Sequence, residues 1–415
     1  MTLVLSALAE IMNLSAYVSL YEDASLLGAA LASIAPLADE IVVVDGAYEW
    51  MRPFLADGDP ARSGPRVEAA LAPYRDKLRV VHGTWANEPE KRSAGFAACR
   101  GRYVLRLDAD EVLAPDLDAL RRFRDGAHGA AYAPAPSLAA PGWMQAPADG
   151  GPLPAHTVLF DRDRVCASEH LGYIWLVLPD GERAAIPPPN PALVVPDPIG
   201  FLAHLTLWRR PEDAARRARF YILNYVRDTG RLPLLPDFAL ERDGFAGLLR
   251  EVGTDALAAH FRNHPIVAGT PDMTGSELRR APPGLPWSAL APLHAAFLDA
   301  HAAINRRLCA EGRLFAQGEP ISLDATGPGA LPALKRDGTL RVEVSRPLAA
   351  ARVRGQWLLA APPWNVEAEG TTACDGQVAA FTLPPDPPGP ILRRVVTLHM
   401  WLHGAGFFGR FRPLA

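Results

Sequence analysis

The stretch KRSAGFAACRGRYVLRLDADEVL (91–113) decides how the chain is read. Residues 90–101 read as a helix closed by Gly101, a residue suited to the left-handed turn that ends many helices. Residues 102–113 read as a strand running into an acidic end, Asp108-Ala109-Asp110-Glu111. Side chains alternate along a strand, so Asp108 and Asp110 are expected on one side. Carboxylates crowded at a strand end repel one another unless a cation sits among them. Hard divalent ions take oxygen ligands, often one or two carboxylates together with substrate phosphates. The plainer alternative is a solvated turn that caps the helix before Pro115.

Outward from this block, strand and helix signals alternate. LSAYVSL (14–20) is a short strand run, and ASLLGAALASIAPL (24–37) has apolar positions at helical spacing. EIVVVDG (40–46) is a continuous β-branched run, the mark of a buried parallel strand. GPRVEAALAPYRDK (64–77) reads as a helix and LRVVHGTW (78–85) as a strand. This β-α-β-α-β-α-β order predicts a doubly wound, mostly parallel sheet of the α/β class. Such sheets bind ligands at the carboxyl ends of their strands. Asp45 and Asp108 both fall there.

Beyond the sheet the pattern changes. Residues 126–205 are rich in Pro, Gly and Ala, with strand runs at 156–163 and 172–178 and an irregular, extended stretch at 186–198. Residues 211–264 and 287–316 read as helical. From about residue 335, TLRVEVSR, ARVRGQWLLA, QVAAFTLPP and RRVVTLHMWLH read as strands separated by Pro and Gly clusters. The expected organisation is a domain over 1–210, a helical segment over 211–330 and a small β module over 331–415. The length of 415 residues agrees with two or three domains at roughly 150 residues each.

Composition narrows the function classes. Forty-two Lys+Arg against 46 Asp+Glu give a formal net charge of −4, with no basic runs, which argues against nucleic acid as a partner. Only Lys77, Lys91 and Lys335 are lysines. The excess of Ala, Arg and Pro suggests a GC-rich bacterial genome. Four scattered cysteines lack the spacing of a thiolate metal site and fit a reducing compartment. No cation precedes Arg52, so a secretory signal is not expected, and no apolar run reaches a membrane span of about 20 residues. A cytoplasmic protein is the expectation. The aromatic, cationic TLHMWLHGAGFFGRFRPLA (397–415) suits peripheral contact at the inner membrane face or a packed strand and tail, and the packed form is preferred. Trp357 and Trp364 suit either sugar stacking or a core, with the core preferred.

Further residues fit a phosphate-handling site. Asp45 can accept hydrogen bonds from a base edge. Lys91 and Arg92 open a helix, and two cations at a helix N-terminus suit a diphosphate. Each has a plain structural alternative: a strand-to-loop acid for the first, a solvated helix face for the second.

The segment from Leu14 to Leu113 resembles the donor half of a family-2 glycosyltransferase with a GT-A fold. Tyr21-Glu22 after the first strand and the helix ending at Ser33-Ile34 are similar to the family's opening. EIVVVDG resembles its nucleotide-binding strand, and KRSAGFAACRGRYVLRLDADEVL its Lys/Arg helix, strand and DxD acids. The resemblance implies a metal-dependent, inverting transfer of a sugar from a nucleotide-diphosphate donor to a hydroxyl of a glycan, a lipid-linked glycan or a protein. It implies that Tyr21, Glu22, Asp45, Lys91, Arg92 and Asp108 line the donor site. It also implies that Asp108 and Asp110 hold Mn²⁺ or Mg²⁺, which would stabilise the leaving diphosphate. His204, in GFLAHLTLWRRPEDAARRARFY, matches a histidine that commonly completes the metal site. Arg209 or Arg210 would pair with phosphate oxygens. Glu169, in CASEHLGY, is the candidate base for the acceptor hydroxyl, with Asp161 and Asp163 as weaker rivals.

Two other functions compete. Asp108-Ala109-Asp110-Glu111-Val112 also satisfies the DxDx[TV] pattern of haloacid-dehalogenase-like phosphohydrolases. Those need a downstream lysine and a second acidic pair; only Lys335 lies downstream and no GDxxxD is present. A non-catalytic carbohydrate-binding or scaffold protein of transferase-like fold is the third. Its support is the run Gly46-Ala47-Tyr48-Glu49-Trp50, where the family follows its acid with a Ser/Thr-Asp turn. The transferase reading expects Asp110→Ala to abolish transfer and leave the fold intact.

Overall fold

In the computed structural model the described residues are 13–55, 58–167, 176–177, 183–184, 197–209, 213, 275–297, 299, 314–316, 320–324, 339–344, 347–402 and 408–414. The chain divides into two compact units, Met1–Arg209 with Arg279–Ala291, and Arg210–Leu278 with Pro292–Ala415.

The first unit is a mixed α/β structure around one six-stranded sheet. Its strands are β1 (Leu14–Leu20), β2 (Glu40–Asp45), β3 (Leu78–His82), β4 (Tyr103–Asp108), β6 (Ala130–Pro134) and β9 (Ala155–Asp161). Their order is β3-β2-β1-β4-β9-β6. The first four run parallel, with Leu20 beside Asp45 and Ser19 beside Asp108. The last two are antiparallel additions. The order reverses between β1 and β4, and such a reversal opens a crevice at the strand ends.

Helices α1 (Leu27–Ile34), α2 (Pro65–Leu71), α3 (Glu88–Ala98) and α4 (Leu117–Asp125) connect the strands. Alternation along the strands explains how both faces are covered. Ala16, Val18, Ile41 and Val43 face a core with Leu27, Leu31, Val67 and Phe123. Tyr17, Val42 and Val44 face the opposite way, onto Phe96 of α3. Asn87 caps α3 by accepting from the Glu90 N–H at 2.9 Å. Gly95 lets this helix approach closely, since a Cβ there would lie 2.7 Å from the Tyr17 ring. The helix ends at Ala98, ahead of Gly101.

The expected strand over 102–113 is two strands. β4 stops at Asp108 and β5 (Glu111–Pro115) starts after a turn at Ala109-Asp110. β5 leaves the main sheet to pair antiparallel with Gly200–His204, which sets His204 opposite Glu111. The Leu113 N–H donates to Ser33 Oγ at 3.1 Å and fastens β5 to α1. Alternation along one strand therefore does not govern Asp108 and Asp110, which face different surroundings. β7 (Leu138–Ala140) and β8 (Trp143–Pro147) form a short antiparallel pair.

Among the described residues the second unit carries two antiparallel sheets. Thr339–Val344, Leu348–Leu359, Val378–Thr382 and Ile391–Leu402 are strands where the sequence reads strands. Leu314–Ala316, within a stretch expected to be helical, is also a strand, whereas residues 287–297 are helical. Phe408–Leu414 pairs with Thr339–Val344, so this part of the aromatic tail is a paired strand. Trp357 is buried, and its indole N–H donates to Asp386 at 2.8 Å. The expected helix over 211–264 lies outside the described residues, apart from residue 213.

Candidate functional site

The turn after β4 gathers charge. Asp110, 1% exposed, has its Oδ2 3.1 Å from His204 Nε2 and 2.8 Å from Arg209 Nη2. Arg209 is equally buried, and Asp23, just beyond β1, takes its Nη2 at 2.9 Å and its Nε at 3.2 Å. Its Nη1 donates to Thr206 Oγ1 at 2.7 Å. This fork ties the loop after β1, the turn after β4 and the segment after His204 together. Burial alone would lower the His204 pKa. The hydrogen bond to Asp110 and the charges of Asp110, Glu111 and Asp108 outweigh it and raise the pKa.

Asp108 faces another neighbourhood. Its side chain is 27% exposed and lies 3.4 Å from Arg92 Nη2 and 3.8 Å from Arg106 Nη2. Arg92 is anchored to Glu88 one helical turn earlier, with Nε 2.6 Å from Oε1. Burial works against the charged Arg92, but Asp108 and Glu88 more than offset it and hold the guanidinium protonated. Arg106 stands beside Tyr17 in the β1–β4 register. Burial pushes the Tyr17 hydroxyl up to about 12.

The β2 end is built differently. Asp45 is 2% exposed. Its Oδ2 accepts from the Ser63 N–H at 2.7 Å and its Oδ1 from Ser63 Oγ at 2.5 Å. His82 Nδ1 lies 3.4 Å from Oδ2. The chain leaves through Gly46 at φ +120°, where a Cβ would strike the Gly83 carbonyl, so only glycine fits. Glu22 holds the same loop from the β1 side: its N–H donates to Ser63 Oγ at 2.7 Å and its Oε1 accepts from the Gly64 N–H at 2.6 Å. It does so at φ +55°, a conformation rare for a residue with a side chain. The Tyr21 hydroxyl donates to the Asp59 carbonyl at 3.3 Å.

Lys91, expected at a diphosphate, is buried between β1 and β2. Its Nζ donates to the carbonyls of Leu20 at 2.7 Å and Gly46 at 2.6 Å. Burial pulls its pKa down to about 7, partly offset by Asp45. Helix α3 turns Lys91 inward and Arg92 toward Asp108, so of the two adjacent cations only Arg92 meets the acidic turn.

Glu169 lies outside the described residues. Its rivals are far from the strand ends that matter. Asp161 pairs in register with Tyr103, at the start of β4, and is held by Arg102 Nη2 at 2.8 Å and Arg164 Nε at 3.2 Å. Asp163 is on the same Arg102, 3.1 Å from its Nε. The antiparallel direction of β9 carries both away from the acidic turn.

Sequence reasoning missed Asp23 and a second pair, Glu111 and His156. Glu111 is fully buried. Its Oε2 accepts from the Asp108 N–H at 2.8 Å and its Oε1 lies 2.7 Å from His156 Nδ1. The His156 and His204 rings meet edge to face with centroids 6.2 Å apart. No spacing could reveal this, because 45 residues separate Glu111 from His156. A charged residue ending an otherwise apolar strand run at its first position was the one available signal.

For a divalent ion the donors are right in kind. A carboxylate oxygen and an imidazole nitrogen 3.1 Å apart can reach one ion. Among the described residues no three His, Cys, Asp or Glu side chains converge as a complete metal site. A bound ion would draw its remaining ligands from substrate or water.

No family model matches the chain, and no curated protein sequence does. Solved structures do match. One is glucosyl-3-phosphoglycerate synthase from Mycobacterium tuberculosis in complex with Mn²⁺, UDP and glucosyl-3-phosphoglycerate, at a TM-score of 0.23, 16% identity, 33% of this chain and 48% of that one. The same enzyme with Mn²⁺, UDP-glucose and phosphoglyceric acid aligns at 0.23 and 18% identity, over 32% and 46%. A mycobacterial protein aligns at 0.24 and 19%, over 33% and 45%. The chain thus spans just under half the length of these structures.

Proposed function

We propose that the first unit is a nucleotide-sugar glycosyltransferase of GT-A fold, in keeping with the family-2 resemblance of its sequence. The observation that carries the reading is the meeting of Asp110 with His204 at the strand-order reversal, next to Asp108 and its two arginines. The donor diphosphate would lie over the carboxyl ends of β1 and β4, where ligands of such sheets bind. Arg92, with Arg106 behind it, offers guanidinium charge to phosphate oxygens across Asp108. Asp110 and His204 are the residues that would hold Mn²⁺ or Mg²⁺, with Asp108 beside them on the arginine side of the turn. Such an ion, when bound, would neutralise charge on the departing diphosphate. Arg209, with every N–H direction met by Asp23, Asp110 and Thr206, sets the position of Asp110 rather than meeting phosphate itself.

At the nucleotide end, Asp45 acts through Ser63. It fixes the loop that Glu22 also grips, and so shapes the wall on which base and ribose would rest. Lys91 closes the ends of β1 and β2 from beneath. The transfer is proposed as inverting, to a hydroxyl of a glycan, lipid-linked glycan or protein.

The test is a donor screen. Purified protein is incubated with UDP-, GDP-, CMP- and dTDP-sugars and Mn²⁺ or Mg²⁺, and released nucleotide is measured. Cleavage of one nucleotide class, reduced in Asp110→Asn, is the expected result. Absence of both cleavage and calorimetric binding for every donor would overturn the reading and favour the scaffold alternative.

A further inference from the structure

The Glu111–His156 pair has no part in holding the donor, yet it stands at the wall of the same site. Both Glu111 oxygens are committed, one to the Asp108 N–H at 2.8 Å and one to His156 Nδ1 at 2.7 Å. A buried carboxylate that accepts on both sides needs a hydrogen on Nδ1. This fixes the neutral imidazole as the Nδ1–H tautomer and leaves the Nε2 lone pair outward. The His156 side chain is 34% exposed while Nδ1 is held by the fully buried Glu111, so the opposite ring nitrogen, Nε2, lies on the open side of the ring. Its ring packs edge to face with that of His204, centroids 6.2 Å apart, and His204 is the residue on Asp110.

We infer that His156, set by Glu111, is a substrate-binding residue whose Nε2 accepts a hydrogen bond from the hydroxyl that approaches the donor. The inference rests on the transferase reading above and names the side of the site on which the acceptor enters. A hydroxyl that donates to Nε2 keeps its oxygen lone pairs free to face the donor. The hydroxyl is a chemical class with two sources, the incoming acceptor or the donor sugar itself, and the acceptor is the assignment.

Glu111→Gln offers a sharp test. The side-chain carbonyl must stay on the Asp108 N–H, so the new NH₂ group falls toward His156. That group donates to Nδ1, which inverts the tautomer and converts Nε2 from acceptor to donor. Nitrogen-15 spectra of histidine-labelled protein read this directly, with His156→Ala identifying the resonance. The expected result is Nδ1–H in the wild type and Nε2–H in Glu111→Gln. A wild-type His156 protonated on Nε2 alone would overturn the proposal.

The functional arm uses whichever nucleotide sugar the wild type cleaves, with water as acceptor. His156→Ala should slow that cleavage about tenfold, the worth of one hydrogen bond, while the calorimetric Kd for the nucleotide sugar changes less than about twofold. His156→Gln, whose amide oxygen still accepts, should recover part of the rate. Equal losses in donor affinity and rate would place the contact on the donor sugar and overturn the acceptor assignment. Unchanged rate and affinity would overturn the contact altogether. Failure of the transferase reading shows itself separately, as a wild type that cleaves no donor, and the acceptor role falls with it.

Discussion

β2 and β4 both end on aspartate at one edge of the same sheet, and the two ends are built on opposite principles. Asp45 is satisfied by the chain itself: Ser63 supplies a backbone and a hydroxyl donor, and the acid is closed off. The β4 end is held by charge. Asp110 sits between a histidine and an arginine, and Asp108 faces two more arginines with its side chain partly open. A carboxylate at a strand end is therefore no site by itself. Its use follows from whether neutral donors of its own loop have already taken its oxygens.

The sharpest break of this comparison is Arg209→Met. It leaves Asp23 and Asp110 without their shared cation in a buried position, and a loss of about 3–5 kcal/mol in unfolding free energy is expected. Arg92→Met, at the half-open side, should cost about 1 kcal/mol or less, because Glu88 and Asp108 stay in contact with water. Denaturant midpoints of both variants check it. Equal costs would show that the two sides of the turn are not distinct.

Next in size is the effect on transfer. Asp110→Asn should lower donor cleavage about a hundredfold or more, as loss of a group set to stabilise developing charge does. Asp45→Asn should lower it less than about tenfold and act through stability instead, with about 2 kcal/mol lost from the Ser63 contacts. Asparagine is the right choice at position 110. The sequence alone suggests that alanine there spares the fold, but the burial of Asp110 against Arg209 makes Asp110→Ala a stability mutant as well. If Asp45→Asn removes as much activity as Asp110→Asn at equal folded fraction, the β2 end is also a working acid.

Much of this architecture was legible in the sequence because it depends on local pattern. The β-branched run at 40–45 and the alternating strands and helices up to Asp108 fix four parallel strands, and the DxD acids mark the end of the last. The break at Ala109-Asp110 was not legible. Nothing in RYVLRLDADEVL itself ends a strand; β4 stops there because the next residues find a better partner in Gly200–His204, some 90 residues later by their numbering in the register. For the same reason Asp23 and His156 stayed hidden. Their partners, Arg209 and Glu111, are 186 and 45 residues away, and long-range pairing leaves no trace in spacing. Lys91 and Arg92 were legible as a pair of cations, but neighbouring residues on a helix point about 100° apart, and only the packing of α3 decides which of them enters the core.

Lys91 supplies the smallest effect and the finest discrimination between the two ends. At the β4 end the cations keep their charge because acids surround them. Lys91 lies under the β2 end, where burial outweighs Asp45 and lowers its pKa from 10.5 to about 7. Between those values the unfolded chain holds a proton that the folded chain has released. Stability must then rise with pH across this window, and level off below about pH 7, where both states are protonated. Near pH 8 the slope approaches about 1.4 kcal/mol per pH unit, the limit for one proton. Burial also pushes the Cys99 thiol up to about 12, and its release of a proton from the unfolded chain works the other way at higher pH. Both wild type and Lys91→Met carry Cys99, so it cancels in their difference. The unfolding free energy of the wild type minus that of Lys91→Met, followed from pH 6.5 to 8.5, should therefore climb above about pH 7. A flat difference would mean that Lys91 stays charged in the fold, held like Arg92 by acids, and the contrast between a β2 end closed by hydrogen bonds and a β4 end held by charge would fail at its base.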